Sequence, residues 1–165
     1  MAAITLGGTP VETIGNLPEI GSKAPSFTLK TKDLSTISLA DYKGSRVVLN
    51  IFPSIDTDVC GNSVRNFNKS AAALVNTKVL CISRDLPFAH ARFCGAEGIE
   101  NVITGSDLTG DFSKDYNLMF STGAFEGLAS RSVIVLDETG TVLYTEQVAE
   151  TGNEPNYDAA LKSLD

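Results

Sequence analysis

At 165 residues the chain is of ordinary single-domain size, long enough to bury a sizeable core, and is read as one domain over residues 1–165. Its 42% hydrophobic and 20% charged residues describe a globular chain rather than a disordered one. A net charge of -7, with the 13 Lys and Arg scattered, argues against a nucleic-acid or anionic-membrane partner and leaves solubility as the plain role of the acidity.

No apolar run approaches the roughly 18–20 residues that span a bilayer. The start, Met1-Ala2-Ala3-Ile4-Thr5-Leu6-Gly7-Gly8, lacks the basic and long apolar stretches of a secretory signal, so a cytoplasmic location is expected. Three cysteines are an odd number in a chain too large to need a disulfide scaffold. Thiol chemistry is therefore expected over structural bridging, with a lone buried thiol the plain alternative at each position.

The first forty residues read as two hairpins. Ile4-Thr5-Leu6 and Val11-Glu12-Thr13-Ile14 flank the break Gly7-Gly8-Thr9-Pro10. Ser26-Phe27-Thr28-Leu29 and Thr36-Ile37-Ser38-Leu39 alternate on either side of Lys32-Asp33. Val47-Val48-Leu49-Asn50-Ile51-Phe52 is then nearly continuous and apolar, as a central strand covered on both faces would be. Cys60, Val64, Phe67, Ala71 and Leu74 recur at spacings of four and three, one face of a helix. Lys78-Val79-Leu80-Cys81-Ile82-Ser83 is a second buried strand, so strand, helix and strand imply a right-handed crossover and a parallel pair. Shorter helices are predicted over 87–97, 111–116 and 157–164. Ser132-Val133-Ile134-Val135-Leu136 gives a third buried strand, which Asp137-Glu138-Thr139-Gly140 turns into Thr141-Val142-Leu143-Tyr144. The expected fold is α/β: a mixed central sheet with helices on both faces and an N-terminal β-hairpin.

Open α/β sheets bind ligands at the carboxyl ends of their strands, and the segment 52–60 leaves such an end. Pro53 stops the strand, and Asp56 or Thr57 can cap the following helix. Cys60 then lies in the first turn, where free amides and the helix dipole favour a thiolate. It shares a face with Val64 and Phe67, so it looks inward from the rim. By position alone, a small apolar residue opening a helix explains Cys60 as well as a reactive thiol does.

The segment Pro53-Ser54-Ile55-Asp56-Thr57-Asp58-Val59-Cys60, continuing through Ser63-Val64-Arg65-Asn66-Phe67-Asn68, resembles the active-site segment of the peroxiredoxins, and more narrowly of the thiol peroxidase subfamily, the atypical two-cysteine type. Asp85-Leu86-Pro87-Phe88-Ala89 with Arg92-Phe93-Cys94-Gly95-Ala96-Glu97-Gly98 resembles that subfamily's second cysteine region. Lys114-Asp115-Tyr116, Ala129-Ser130-Arg131 and Glu154-Pro155-Asn156-Tyr157-Asp158-Ala159-Ala160-Leu161 carry the likeness to the end of the chain.

The resemblance implies a thioredoxin-like fold with Cys60 as the peroxidatic thiol and Cys94 as the resolving thiol of an intrachain disulfide. It implies hydrogen peroxide and organic hydroperoxides as substrates, thioredoxin as the source of reducing equivalents, no cofactor and a homodimer. Thr57, Arg131 and Pro53 match the family's active-site residues. A thiolate attacking one peroxide oxygen leaves negative charge on the other, so donors must hold the peroxide and receive that charge. Thr57, three residues before Cys60, can offer a hydroxyl to both sulfur and peroxide. Arg131 supplies a permanent cation, and Pro53 shields the pocket from water. The first turn around Cys60 and the Cys94 helix are both expected to loosen before the bond closes, because a disulfide needs its α-carbons within about 7 Å.

Cys81, inside an apolar strand, reads as buried and inert. His90 reads as a surface residue, and Arg65 as a surface or interface cation. Core packing is the expectation for Phe27, Phe88, Phe93, Met119 and Phe125, with a pocket or dimer contact as the alternative. No C-x₂-C pair supports a zinc site. Cys60 is followed by Gly61, Asn62 and Ser63, so the C-x-x-C of thiol–disulfide oxidoreductases is missing. A disulfide-forming redox sensor and a cysteine hydrolase with His90 as base remain as competing readings.

Overall fold

The computed structural model describes residues 3–165; Met1 and Ala2, part of the N-terminal segment read above, lie outside the described residues. The chain opens with a hairpin of β1 (Ile4–Leu6) and β2 (Thr9–Val11), followed by the pair β3 (Thr28–Lys30) and β4 (Thr36–Ser38). A single 3-10 turn, Leu39–Tyr42, leads to β5 (Arg46–Ile51). Helix α1 (Asp58–Ala71), β6 (Thr77–Ser83), α2 (Pro87–Glu97) and β7 (Ile103–Ser106) follow. The chain ends with α3 (Asp111–Asp115), β8 (Ser132–Leu136), β9 (Val142–Gln147) and α4 (Tyr157–Lys162).

The first turn is tighter than expected. Only Gly7 and Gly8 form it, both with positive φ as a two-residue hairpin turn requires, so Thr9 and Pro10 already belong to β2. Strand β7 was not anticipated. It is four residues long and carries Gly105, where an added Cβ would come within 2.7 Å of Leu29 Cδ1. The glycine that lets β3 pack closely is the residue that hides the strand from a propensity reading.

The seven-stranded sheet runs β4-β3-β7-β6-β5-β8-β9. β5 is parallel to β6 and β6 to β7, while β8 pairs antiparallel with β5 and β9 with β8. Alternation along β5 sends Val48 and Phe52 to one face and Val47, Leu49 and Ile51 to the other. The first face packs on Val64 and Phe67 of α1, Phe93 and Cys94 of α2 and Ala160 of α4. The second packs on Phe112 and Tyr116, from α3 and just beyond it. Helices on both faces explain why β5, β6 and β8 are apolar almost throughout.

This topology gathers one set of chain segments at one edge. The parallel strands β5, β6 and β7 all end there, releasing the segments that begin at Phe52, Arg84 and Asp107. Because β8 is antiparallel, its beginning lies at the same edge. Ile51 pairs with Ser132, so Arg131 stands beside the point where β5 gives way to Pro53. Among the described residues, no helix is long and apolar enough to cross a membrane.

Candidate active site

Cys60 is fully buried in the first turn of α1. Thr57 is the N-cap residue by backbone conformation, but its hydroxyl does not cap the helix and donates instead to Ser54 O at 3.1 Å. Asp56, the other expected cap, is paired with Arg92 of α2. The first turn is held from beneath by a polar chain. Asn50 Nδ2 donates to Ser63 Oγ at 3.1 Å, and Ser63 Oγ donates to Cys60 O at 2.7 Å. Asn50 is a lone amide inside the apolar run of β5, which is the signal in sequence for such a buried tie.

A cavity of about 160 Å³ opens at this helix start, lined by Leu6, Thr57, Asp58, Val59, Phe125, Arg131, Thr151 and Gly152. It brings together Thr57 and Arg131, two of the residues singled out in the sequence. Arg131 is 4% exposed; its Nε donates to Thr151 O at 2.9 Å, while Nη1 is buried without a partner. A buried guanidinium with free donor capacity is costly unless something anionic or polar meets it. Pro53 is buried and is not among the residues that line this cavity. A larger cleft of about 260 Å³ lies at the other end of β5, around Tyr42 and Asp137, and contains no thiol.

The hairpin contributes to the cavity rim through Leu6, and Glu150 fixes it there. The Thr5 hydroxyl and the amides of Gly152, Gly7 and Gly8 converge on its carboxylate and hold it at about 2, below the usual range. Thr151, next in the chain, carries the carbonyl that orients Arg131.

Cys94 lies in α2, is 4% exposed and belongs to the same core cluster as Cys60. Burial pushes its thiol up, with Lys32 and Thr104 pulling the other way. α2 is clasped to α1 and the loop before it by two exposed ion pairs, Arg65–Glu97 and Arg92–Asp56, and the Arg65 guanidinium lies 5.3 Å from the Phe93 ring centroid. Arg65 is thus a surface cation that bridges the helices bearing the two cysteines. All three cysteines are unbridged. Cys81 is fully buried and its thiol is pushed up to about 12, chiefly by burial, with the Asn50 hydrogen bond opposing, which agrees with an inert core thiol.

Two expectations are corrected. His90 is fully buried, because α2 turns it toward the end of β6, where Nε2 lies 2.8 Å from Ser83 Oγ. Phe88 is 64% exposed on the opposite side of that helix start, so it is not a core residue, whereas Phe27, Phe93 and Met119 are. Burial lowers the His90 imidazole from its ordinary 6.5, against the pull of Asp85 and Asp56. The folded state therefore prefers neutral His90: its contribution is complete above 6.5 and erodes as the pH falls below that value, where only the unfolded chain takes up the proton. Urea midpoints should fall on acidification by the equivalent of up to about 1.4 kcal/mol per pH unit, and His90→Gln should flatten that slope.

Residues 19–161 match the Redoxin family. The chain is 51% identical over 164 residues to the thiol peroxidase of Mycobacterium tuberculosis and 49% identical over 164 residues to that of Corynebacterium glutamicum, covering 99% of both chains in each case. The chain belongs to the thiol peroxidases of the Redoxin (peroxiredoxin) family. Its fold is similar to a peroxiredoxin-like protein from Aquifex aeolicus, with a TM-score of 0.93, 34% identity, and coverage of 98% of this chain and 95% of that one. A thiol peroxidase from Chromobacterium violaceum superposes with a TM-score of 0.90 at 25% identity, over 98% of this chain and 95% of that one. As a family member the chain has the thioredoxin-like α/β architecture expected from its sequence, with the N-terminal hairpin added.

Proposed function

We propose that the chain, acting as one domain, is a thioredoxin-dependent peroxidase in which Cys60 is oxidised by a hydroperoxide and Cys94 resolves the product. The observation that carries this reading is Cys60 in the first turn of α1, beside a cavity lined by Thr57 and the partner-free Nη1 of Arg131. The Cys60 thiolate attacks the terminal oxygen of the peroxide, the O–O bond breaks, and the electron pair leaves on an alkoxide or hydroxide that takes up a proton. Cys60 becomes a sulfenic acid. Arg131 and the Thr57 hydroxyl, once it turns from Ser54 O, are the donors for the developing oxyanion. The Cys94 sulfur then attacks the sulfenic sulfur, forming the disulfide and releasing water. Thioredoxin supplies the two electrons that return both thiols, so no cofactor takes part.

Cys60 and Cys94 occupy one core cluster but sit on separate helices clasped by ion pairs, which supports a resolving step that needs local loosening. A cycle that starts from reduced thiols suits the reducing cytoplasm. Exposed Leu86 and Phe88 at the start of α2 offer apolar surface to a second copy in a homodimer, or to thioredoxin. The test is peroxide consumption in the presence of thioredoxin and its reductase, followed by non-reducing peptide mapping after one equivalent of peroxide. Steady turnover with a Cys60–Cys94 link within one chain is expected. No turnover, or a link involving Cys81, would sink the reading; disulfide formation without turnover would favour a redox sensor.

A further inference from the structure

Asp85 follows β6 at the edge where β5 ends, and its side chain crosses to the loop that leads to Cys60. One carboxylate oxygen accepts from Ser54 Oγ at 2.8 Å, and the other accepts from Ile55 N at 2.7 Å and from Ser83 Oγ. Its backbone is fixed independently, because Ser106 Oγ at the end of β7 donates to Asp85 O. The carboxylate therefore projects from a rigid platform of two parallel strand ends.

The bonds continue in both directions. Toward the cavity, Ser54 O accepts both Thr57 N at 3.2 Å and Thr57 Oγ at 3.1 Å, and Ser54 Oγ accepts Asp56 N at 3.2 Å. Thr57, the N-cap of α1, is thus set by Ser54, which is set by Asp85. Toward α2, the single proton of Ser83 Oγ goes to the carboxylate, so the ring Nε2–H of buried His90 donates to Ser83 Oγ. His90 lies one turn before Cys94 on the same helix.

We propose that Asp85 is a positioning residue for the peroxide reaction: through Ser54 it sets Thr57 and the first turn bearing Cys60, and through Ser83 and His90 it ties that loop to the helix of Cys94. This rests on the reading of Cys60 and Cys94 given above. The same carboxylate holds together the two segments that must separate for the disulfide to close. Its loss should slow the first half-reaction while leaving the second unchanged or faster.

The experiment is rapid-quench thiol alkylation and peptide mass mapping after mixing the reduced protein with hydrogen peroxide, which times Cys60 oxidation and disulfide closure separately. For Asp85→Ala, Cys60 oxidation is expected to slow by about 10- to 100-fold, the scale of a misplaced reacting group. Disulfide closure from the sulfenic acid should be as fast as in the wild type or faster. Asp85→Asn, which keeps the shape and an acceptor for Ile55 N–H, should restore part of the oxidation rate. Ser54→Ala, which removes the two bonds of Ser54 Oγ, to Asp85 and from Asp56 N, but leaves Ile55 N and Ser83 Oγ on the carboxylate, should slow oxidation by less than Asp85→Ala, and it decides the matter if Asp85→Ala does not fold. Tyr116→Phe, which removes a partly buried hydrogen bond to Pro25 O on the far face, controls for lost stability and should leave both steps unchanged. The proposal is overturned if Cys60 oxidation in the folded Asp85 variants, or failing those in Ser54→Ala, stays within twofold of wild type, or slows no more than in Tyr116→Phe. A wild-type protein whose Cys60 does not react with peroxide at all would instead overturn the functional reading beneath it.

Discussion

Cys60→Ser is expected to remove peroxide consumption, by on the order of 10⁴-fold or more, because neither remaining thiol can replace the lost nucleophile. Cys81 is sealed in β6 with its thiol pushed up to about 12, and Cys94 is buried with its thiol also raised. Cys94→Ser should behave differently. Its first equivalent of peroxide should be consumed at the wild-type rate, since Cys94 sits on α2, apart from the helix start that carries Thr57 and Cys60. Turnover with thioredoxin then stops, and mass spectrometry should find one added oxygen on Cys60 and further oxygens with excess peroxide. A Cys94→Ser protein that still turns over with thioredoxin would mean that another group resolves the sulfenic acid.

Arg131→Met is expected to lower the rate of Cys60 oxidation by about 10²–10³-fold, the scale of losing one preorganised donor to a developing oxyanion. Folding stability should change little. The guanidinium is taken out of water for one hydrogen bond, from Nε to Thr151 O, while Nη1 has no partner. Replacing a poorly compensated buried charge with an apolar side chain of similar length is often neutral or favourable. Arg131→Lys keeps the charge but not the planar fork that can hold Thr151 O and the cavity at once, so an intermediate rate is expected. Stopped-flow peroxide kinetics beside urea unfolding separate the two effects. A large loss of stability with an unchanged rate would assign Arg131 to structure alone.

These two predictions draw on different parts of the fold. Cys60 lies in α1, whose position follows from the β5–α1–β6 crossover. Arg131 lies just before β8, about seventy positions later. Arg131 reaches the start of α1, where it lines a cavity with Thr57 and Val59, because β8 runs antiparallel to β5 with Ser132 opposite Ile51. Loops at this edge are then trimmed by local bonds: Glu150 on the hairpin tip, Ser54 on Thr57, and Asp85 on Ser54.

Much of this was open to a reading of the chain alone. Periodicity put α1 on the Cys60, Val64 and Phe67 face, and apolar runs marked β5, β6 and β8, because burial on one face or on two leaves a repeating trace in the order of residues. The limits of α2 were equally legible, since Pro87 at its start and Gly98 with φ of 63° at its end are local signals. The motif around Cys60 and Cys94 pointed to the chemistry before any geometry. What folding alone decided is which side chains meet across the chain. His90 reads from the sequence as a surface residue because the resemblance gives it no catalytic part; only the packing of α2 on the end of β6 buries it. Asp85 and Asn50 have no periodic signature at all, for each is defined by partners from other elements. Burial of a polar group and its choice of partner are properties of tertiary contact, where the cost of losing water is met or left unmet by atoms distant in sequence.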